Sequence, residues 1–186
     1  MALDESTSDI LCGRLLLAAP DLLEPTFRRT VLLITNHTAT DGALGYILNR
    51  PLRKMVSDLL PSSPYPELED VPVFVGGPVS QEHLTFSALG WNNASGTLQY
   101  QTHLSAEDAA RSAKEGFSVR AYVGYSGWSE GQLENELKER AWVVSLPRRV
   151  LMQVDKLNTS LWGEFIRDVS PMHRLAADMP DDVSLN

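Results

Sequence analysis

Residues 119–145 read VRAYVGYSGWSEGQLENELKERAWVVS, and this stretch decides the class of fold. Val119–Val123 has the length and the β-branched, apolar make-up of a buried strand. Gly124–Trp128 reads as a tight turn. Ser129 with Gln132 three residues later has the form of a capping box, which satisfies free amides at a helix start, so a helix is expected over Ser129–Glu139. Leu133 and Leu137 share one face of it. Glu134/Lys138 and Glu136/Arg140 are i,i+4 pairs expected on the wet side. Ala141–Ser145 follows as a second buried strand, and strand, helix and strand in succession imply a right-handed parallel crossover.

Working outward, Arg14–Ala18, Thr30–Asn36 and Ala43–Leu48 read as strands rich in Leu, Val and Ile. Asp41-Gly42 in the turn Thr38–Gly42 is a hairpin signal. Asn49-Arg50-Pro51 closes the third strand, because proline cannot extend a ladder. A short helix is expected over Lys54–Leu60, then an irregular connection from Pro61 to Pro72 within the domain. Val73–Val75 reads as a strand ending in Gly76-Gly77-Pro78. Two further strands, Glu82–Leu89 and Thr97–Gln101, flank a turn at Asn92–Gly96. Ser105 caps a helix through Glu115, with Gly116 at its exit. The last helix runs from Thr159 to Asp168, stopped before Pro171, with Leu161, Trp162, Phe165 and Ile166 as its apolar stripe. Seven or eight strands and three or four helices in mixed order make an α+β (mixed α/β) chain. The expected core is a mixed, largely antiparallel β-sheet in one compact domain. Its bounds are expected at 13–170, between acidic tails over 1–12 and 171–186.

Composition agrees with one domain: 186 residues, 43% apolar and 22% charged. The longest apolar runs, such as Leu15–Pro20, fall well short of the ~20 residues of a bilayer helix. Met1–Asp9 is acidic where a secretion signal needs a basic start and an apolar stretch. Cys12 is the only cysteine and can form no internal disulfide; it reads as a small buried hydrophobe. A cytoplasmic location is expected. The net charge of −8 is concentrated in the first nine and last eleven residues, where Asp4, Glu5, Asp9, Asp178, Asp181 and Asp182 meet no Lys or Arg. The body keeps 18 acids against 16 bases, a balance that argues against direct nucleic-acid binding, which draws its affinity from basic side chains. Arg28–Arg29, Arg50–Arg53–Lys54 and Arg148–Arg149 read as solvated surface.

No catalytic set stands out. A nucleophile elbow needs glycine two residues after the serine, whereas Trp128 holds that position after Ser126. His37, His83, His103 and His173 have no diagnostic spacing around it. Neither a P-loop nor GxGxxG is present, and Glu130 already complements the dipole of the helix that would otherwise attract an anion. His37 with Asp41, or His83 with Glu82, lacks the i,i+4 histidine pairing of a helical metal site. No cofactor and no metal are expected.

Four blocks taken together resemble the YqgE/AlgH family of bacterial proteins. They are Gly13–Pro20 (GRLLLAAP) with Phe27 and Thr30-Val31; His37 with Asp41–Pro51 (DGALGYILNRP); Val75–Val79 (VGGPV); and Gly124–Trp128 (GYSGW) with Gly131–Leu137 (GQLENEL) and Ala141-Trp142. The resemblance covers about Gly13 to Arg167. It implies a compact α/β domain with mixed strands and carries an association with regulation, but no settled biochemical activity. The family commonly accepts alanine at the position of Ser126, which argues against a nucleophile there. Asn49, Arg50, Pro51, Gly76, Gly77, Pro78, Gly127, Trp128, Gly131 and Gln132, all at strand ends and turns, are expected to converge on one binding surface. The leading expectation is a non-enzymatic binding or regulatory protein acting on a protein partner or a small ligand. The alternative is a hydrolase with a polar cleft near Ser126 and His37.

Overall fold

Leu15-Leu16-Leu17-Ala18 and Val31-Leu32-Leu33-Ile34 are buried at every position. A strand alternates its side chains between two faces, so unbroken apolar runs require a sheet covered on both sides. The computed structural model describes residues 11–179 and shows such a sheet. Its strands are β1 Leu15–Ala18, β2 Val31–Thr38, β3 Gly42–Ile47, β4 Pro51–Met55, β5 Pro72–Val75, β6 Val79–Asn92, β7 Thr97–Leu104, β8 Ser118–Trp128 and β9 Trp142–Ser145. The α-helices are α1 Val56–Leu59, α2 Ala106–Lys114, α3 Gln132–Lys138, α4 Ser160–Ile166 and α5 Pro171–Asp178. The chain is a single α+β domain.

The strands lie in the order β4-β5-β8-β3-β2-β1-β9, with β6 also paired to β8 and β7 beyond it. Every pairing is antiparallel except β5 with β8. β8 is the shared strand: Ala121–Val123 pairs with both β5 and β6, and Ser126–Trp128 pairs with β3. Following the antiparallel steps from β8 through β3, β2 and β1 to β9 makes β8 and β9 parallel. The crossover through α3 therefore joins strands that three others separate.

Three apolar clusters hold these layers. On one face of β1–β3, Leu15, Leu17, Val31 and Leu33 meet Leu161, Trp162, Phe165 and Ile166 of α4. On the other face, Leu16, Leu32 and Ile34 meet Trp128, Leu133 and Trp142 beneath α3. Around the β5–β8–β6 half, Val73, Phe86 and Ala121 meet Ala109 and Ala110 of α2. Ser105 caps α2 as expected, its Oγ accepting from the Asp108 amide at 3.1 Å.

Several boundaries differ from the sequence reading. Gly124–Trp128 is no turn; it continues β8. Pro51 does not end strand structure but opens β4, the edge strand, where a first-position proline leaves no ladder bond missing. β6 and β7 are longer than expected, as both sides of the Asn92–Gly96 turn extend. Pro171, expected to mark a stop, instead starts α5, with Ser170 Oγ accepting from the His173 amide. Proline at the first helical position forfeits no helical hydrogen bond. Asp178 lies in that helix, while Asp4, Glu5, Asp9, Asp181 and Asp182 fall outside the described residues.

Candidate functional site

The two glycine motifs meet where β8 changes partners. Gly76 follows β5; its amide donates to Val123 O and its carbonyl accepts from the Ile47 amide, each at 2.9 Å. A Cβ on Gly76 would overlap the Gly124 carbonyl, and one on Gly77 would overlap the Tyr125 carbonyl and Ser126 Oγ. Gly124 has φ +68, and a Cβ there would lie 2.5 Å from Gly77 O. Only glycine adopts this conformation freely at such an approach, so Gly124 bends β8 while the strand runs on. Ser126, fully buried inside the strand, donates its hydroxyl to Gly76 O at 3.1 Å. It is a stitch in this seam and occupies no nucleophile elbow.

The other motif residues hold neighbouring elements. Asn49 is fully buried; its Oδ1 accepts from the Val31 amide and its Nδ2 donates to Arg29 O, both at 2.9 Å. Arg50 donates to Arg28 O, and Pro51 is exposed on β4. At the far end of the seam Trp128 Nε1 donates to Glu136 Oε2 at 2.8 Å, and Trp142 Nε1 donates to the same oxygen at 2.7 Å. Gln132 completes this latch, its Nε2 donating to Glu136 Oε1 at 3.0 Å. Glu136 thus ties α3 to two indoles. Glu134, partly exposed, reaches His37 Nε2 at 2.7 Å, so both glutamates are engaged with the sheet rather than with Lys138 and Arg140. Gly131, not Ser129, is the helix N-cap; Gln132 Oε1 reaches back to the Ser129 amide at 3.1 Å.

The expected binding residues therefore fall into separate places. Gly76, Gly77 and Gly127 lie about the seam, with Pro78 exposed at its edge. Trp128, Gly131 and Gln132 lie beyond one end of β3, where Ala43 pairs with Trp128, and Asn49–Pro51 beyond the other. β3 ends at Ile47, four residue steps of strand or about 13 Å from Ala43, and Asn49 follows in the bend after it.

Two features invite chemistry. The first is an open cleft of about 360 Å³ lined by residues that include Asn36, Asp41, Leu44, Val79, Tyr125 and Gly127. Gly127 is exposed there, and a Cβ on it would sit 3.4 Å from the Tyr125 ring, ordinary contact. The second is a column of polar groups beneath the β6–β7 hairpin that the sequence reading missed. The β6–β7 register shifts between Phe86 and Ala88, and His103 sits opposite that irregularity with φ +56. Its ring lies 3.2 Å from the Tyr46 hydroxyl. Tyr46 packs on Tyr122 with ring centroids 4.8 Å apart, and Thr85 and Ser87 of β6 face Tyr122 and Arg120 of β8. Burial pushes the Tyr46 and Tyr122 phenols above their ordinary range, with nearby Thr85 and Arg120 respectively opposing the shift. Among the described residues no cluster of three or more His, Cys, Asp or Glu side chains is placed to hold a metal ion, and no helix is long and apolar enough to cross a membrane.

Fold and seam together define a one-domain α+β protein built on a glycine-stitched, forked sheet. The AlgH-like family model (DUF179) matches residues 15–173, and the chain belongs to that family. It is 36% identical over 190 residues to a UPF0301 protein of Mycobacterium tuberculosis H37Rv, covering 95% of this chain and 91% of the relative. A UPF0301 protein of Mycolicibacterium smegmatis is 36% identical over 185 residues, covering 94% and 90%. Among solved structures, the chain is similar to a crystal structure of a Corynebacterium diphtheriae protein, with TM-score 0.66, 20% identity and coverage of 96% and 95%. It is also similar to the solution structure of the AlgH protein of Pseudomonas aeruginosa, with TM-score 0.61, 24% identity and coverage of 98% and 100%. These two likenesses concern the fold.

Proposed function

We propose that this is a non-catalytic binding protein of the bacterial cytoplasm whose recognition site is the cleft beside Gly127, and that any regulatory effect passes through what it binds there. The observation that carries this reading is the contrast at Ser126 and Gly127. The hydroxyl is consumed by a backbone carbonyl inside the strand, while the adjacent residue opens onto a cleft with an aromatic wall and an Asn and Asp rim. Small-molecule and peptide sites are concave, mostly apolar and carry a few placed polar groups. The hydrolase alternative has less support, since Ser126 is fully buried and spends its hydroxyl on the Gly76 carbonyl. Direct nucleic-acid binding through the basic clusters is disfavoured too. Arg29 stacks on Trp162 and donates to Met179 O, and Arg50 is folded back onto Arg28 O.

The test is to fill the cleft without touching the seam. Gly127→Leu places a side chain at an exposed strand position, its Cβ in ordinary contact with the Tyr125 ring. Affinity capture from the source cytoplasm and a metabolite-library thermal shift should both lose their specific signal in this variant, with the melting temperature unchanged. Equal recovery of partners and ligands by the plugged and wild-type proteins would refute the site.

A further inference from the structure

Arg120 is the least expected residue in the core. It lies in β8 with 0% of its surface exposed. Among the described residues its guanidinium makes one well-formed hydrogen bond, from Nη2 to Leu151 O on the 3₁₀ turn Arg149–Met152. Nε and Nη1 make none, and no carboxylate pairs with the guanidinium among the described residues. Arginine cannot escape burial by shedding its proton at neutral pH, and an isolated ion in a protein interior costs several kcal/mol. The surrounding side chains compound the imbalance. Ser87 Oγ, opposite Arg120 on β6, and Thr85 Oγ1 and Tyr122 Oη beside it are also buried without a hydrogen-bond partner. A buried cation and three buried hydroxyls thus share one pocket of polarity that holds no anionic acceptor among the described residues.

We propose that Arg120, Ser87, Thr85 and Tyr122 form an internal binding site for a small free oxyanion of the inorganic phosphate class. The anion neutralises the guanidinium and accepts from the N–H groups that Leu151 O leaves over and from the hydroxyls. Charge-assisted bonds of this kind are about twice as strong as neutral ones. Access requires displacing the Arg149–Met152 turn, whose Leu151 carbonyl meets Arg120 and whose Leu151 side chain packs in the apolar core. Burial draws the Arg120 pKa below the arginine range, with Tyr122 opposing it, which is the direction an uncompensated cation produces. The site is separate from the cleft at Gly127 and stands or falls independently of it.

The experiment uses the full chain at neutral pH, with sodium phosphate compared against sodium chloride at matched ionic strength. Phosphate is expected to raise the melting temperature saturably and beyond chloride, because a ligand that binds only the folded state stabilises it by mass action. Ser87→Ala should weaken the response about tenfold, the cost of one hydrogen bond to a charged group, and Arg120→Met should abolish it. The Nε–Hε NMR correlation of Arg120 in the wild-type protein should shift along the same titration curve, a readout that does not depend on Arg120→Met folding. An Arg120 correlation unmoved at saturating phosphate overturns the site, as does a response that chloride matches or that Arg120→Met retains. An equal response to glycerol 2-phosphate, too bulky for the closed column, would place the anion on the open surface and equally overturn it.

Discussion

Gly124 and Gly127 stand three residues apart in one strand and do opposite work. Gly124 is buried with a left-handed backbone and Gly77 O across from it. Gly127 is exposed, has no positive φ, and meets only the flank of Tyr125. A motif that looks uniform in sequence is therefore composite: its first glycine lets β5 and β8 close on each other, and its second leaves room beside the strand. The same division runs through the other motifs, with Gly76, Gly77 and Asn49 holding the sheet together and Asp41 and Leu44 lining the opening.

The largest effects should come from crowding the seam. Gly77→Ala forces a Cβ into backbone atoms that cannot move without parting β5 from β8, and should cost more than ~3 kcal/mol, read as a lower urea midpoint or as loss of folded protein. Next comes the latch on α3. Glu136→Ala leaves two indole N–H groups without their acceptor and should cost roughly 2–4 kcal/mol, with a changed near-ultraviolet tryptophan signal. If the cost is negligible, the latch is ornamental and the contrast between holding and opening residues weakens. Asn49→Ala strands a buried amide and a partly buried carbonyl, for an expected loss of about 2–3 kcal/mol.

A pH profile sharpens the picture of the polar column. Tyr46 and Tyr122 have folded pKa values raised by burial. The stability they contribute is complete below the unfolded tyrosine pKa of about 10 and is lost as pH rises beyond it. Tyr100 is raised by burial as well, so alkaline titration followed at 295 nm should show three tyrosines ionising late, Tyr46 and Tyr122 together with unfolding. Replacing Tyr46 and Tyr122 with phenylalanine should reduce the delayed fraction to that of Tyr100. The smallest effect is assigned to Gly127→Leu, within about 0.5 kcal/mol of wild type.

The buried strands were legible because Leu15–Ala18 and Val31–Ile34 are apolar at every position, and α2 because Ser105 and Gly116 mark its ends. The break at Gly124–Trp128 was misread for a physical reason. Glycine after an apolar run signals a turn locally, but here a single left-handed residue is absorbed into a strand that changes partners, and that depends on β5 and β3 arriving from elsewhere in the chain. Glu134 and Glu136 fit an exposed i,i+4 pattern equally well, and only the position of α3 over His37, Trp128 and Trp142 gives them partners there. Arg120 carried no signal at all. In Val119–Val123 it alternates as an outward-facing residue would, and its burial comes from the turn at Leu151, thirty-one residues later. The cleft was half visible through Gly127 and Trp128, while Asn36, Leu44 and Tyr125 join it only through the β3–β8 register.

The most direct test of this division is urea unfolding of Gly124→Ala and Gly127→Ala measured side by side. The structure predicts a loss of more than ~3 kcal/mol for the first and less than ~0.5 kcal/mol for the second. Equal losses, or a tolerated Gly124→Ala, would contradict it.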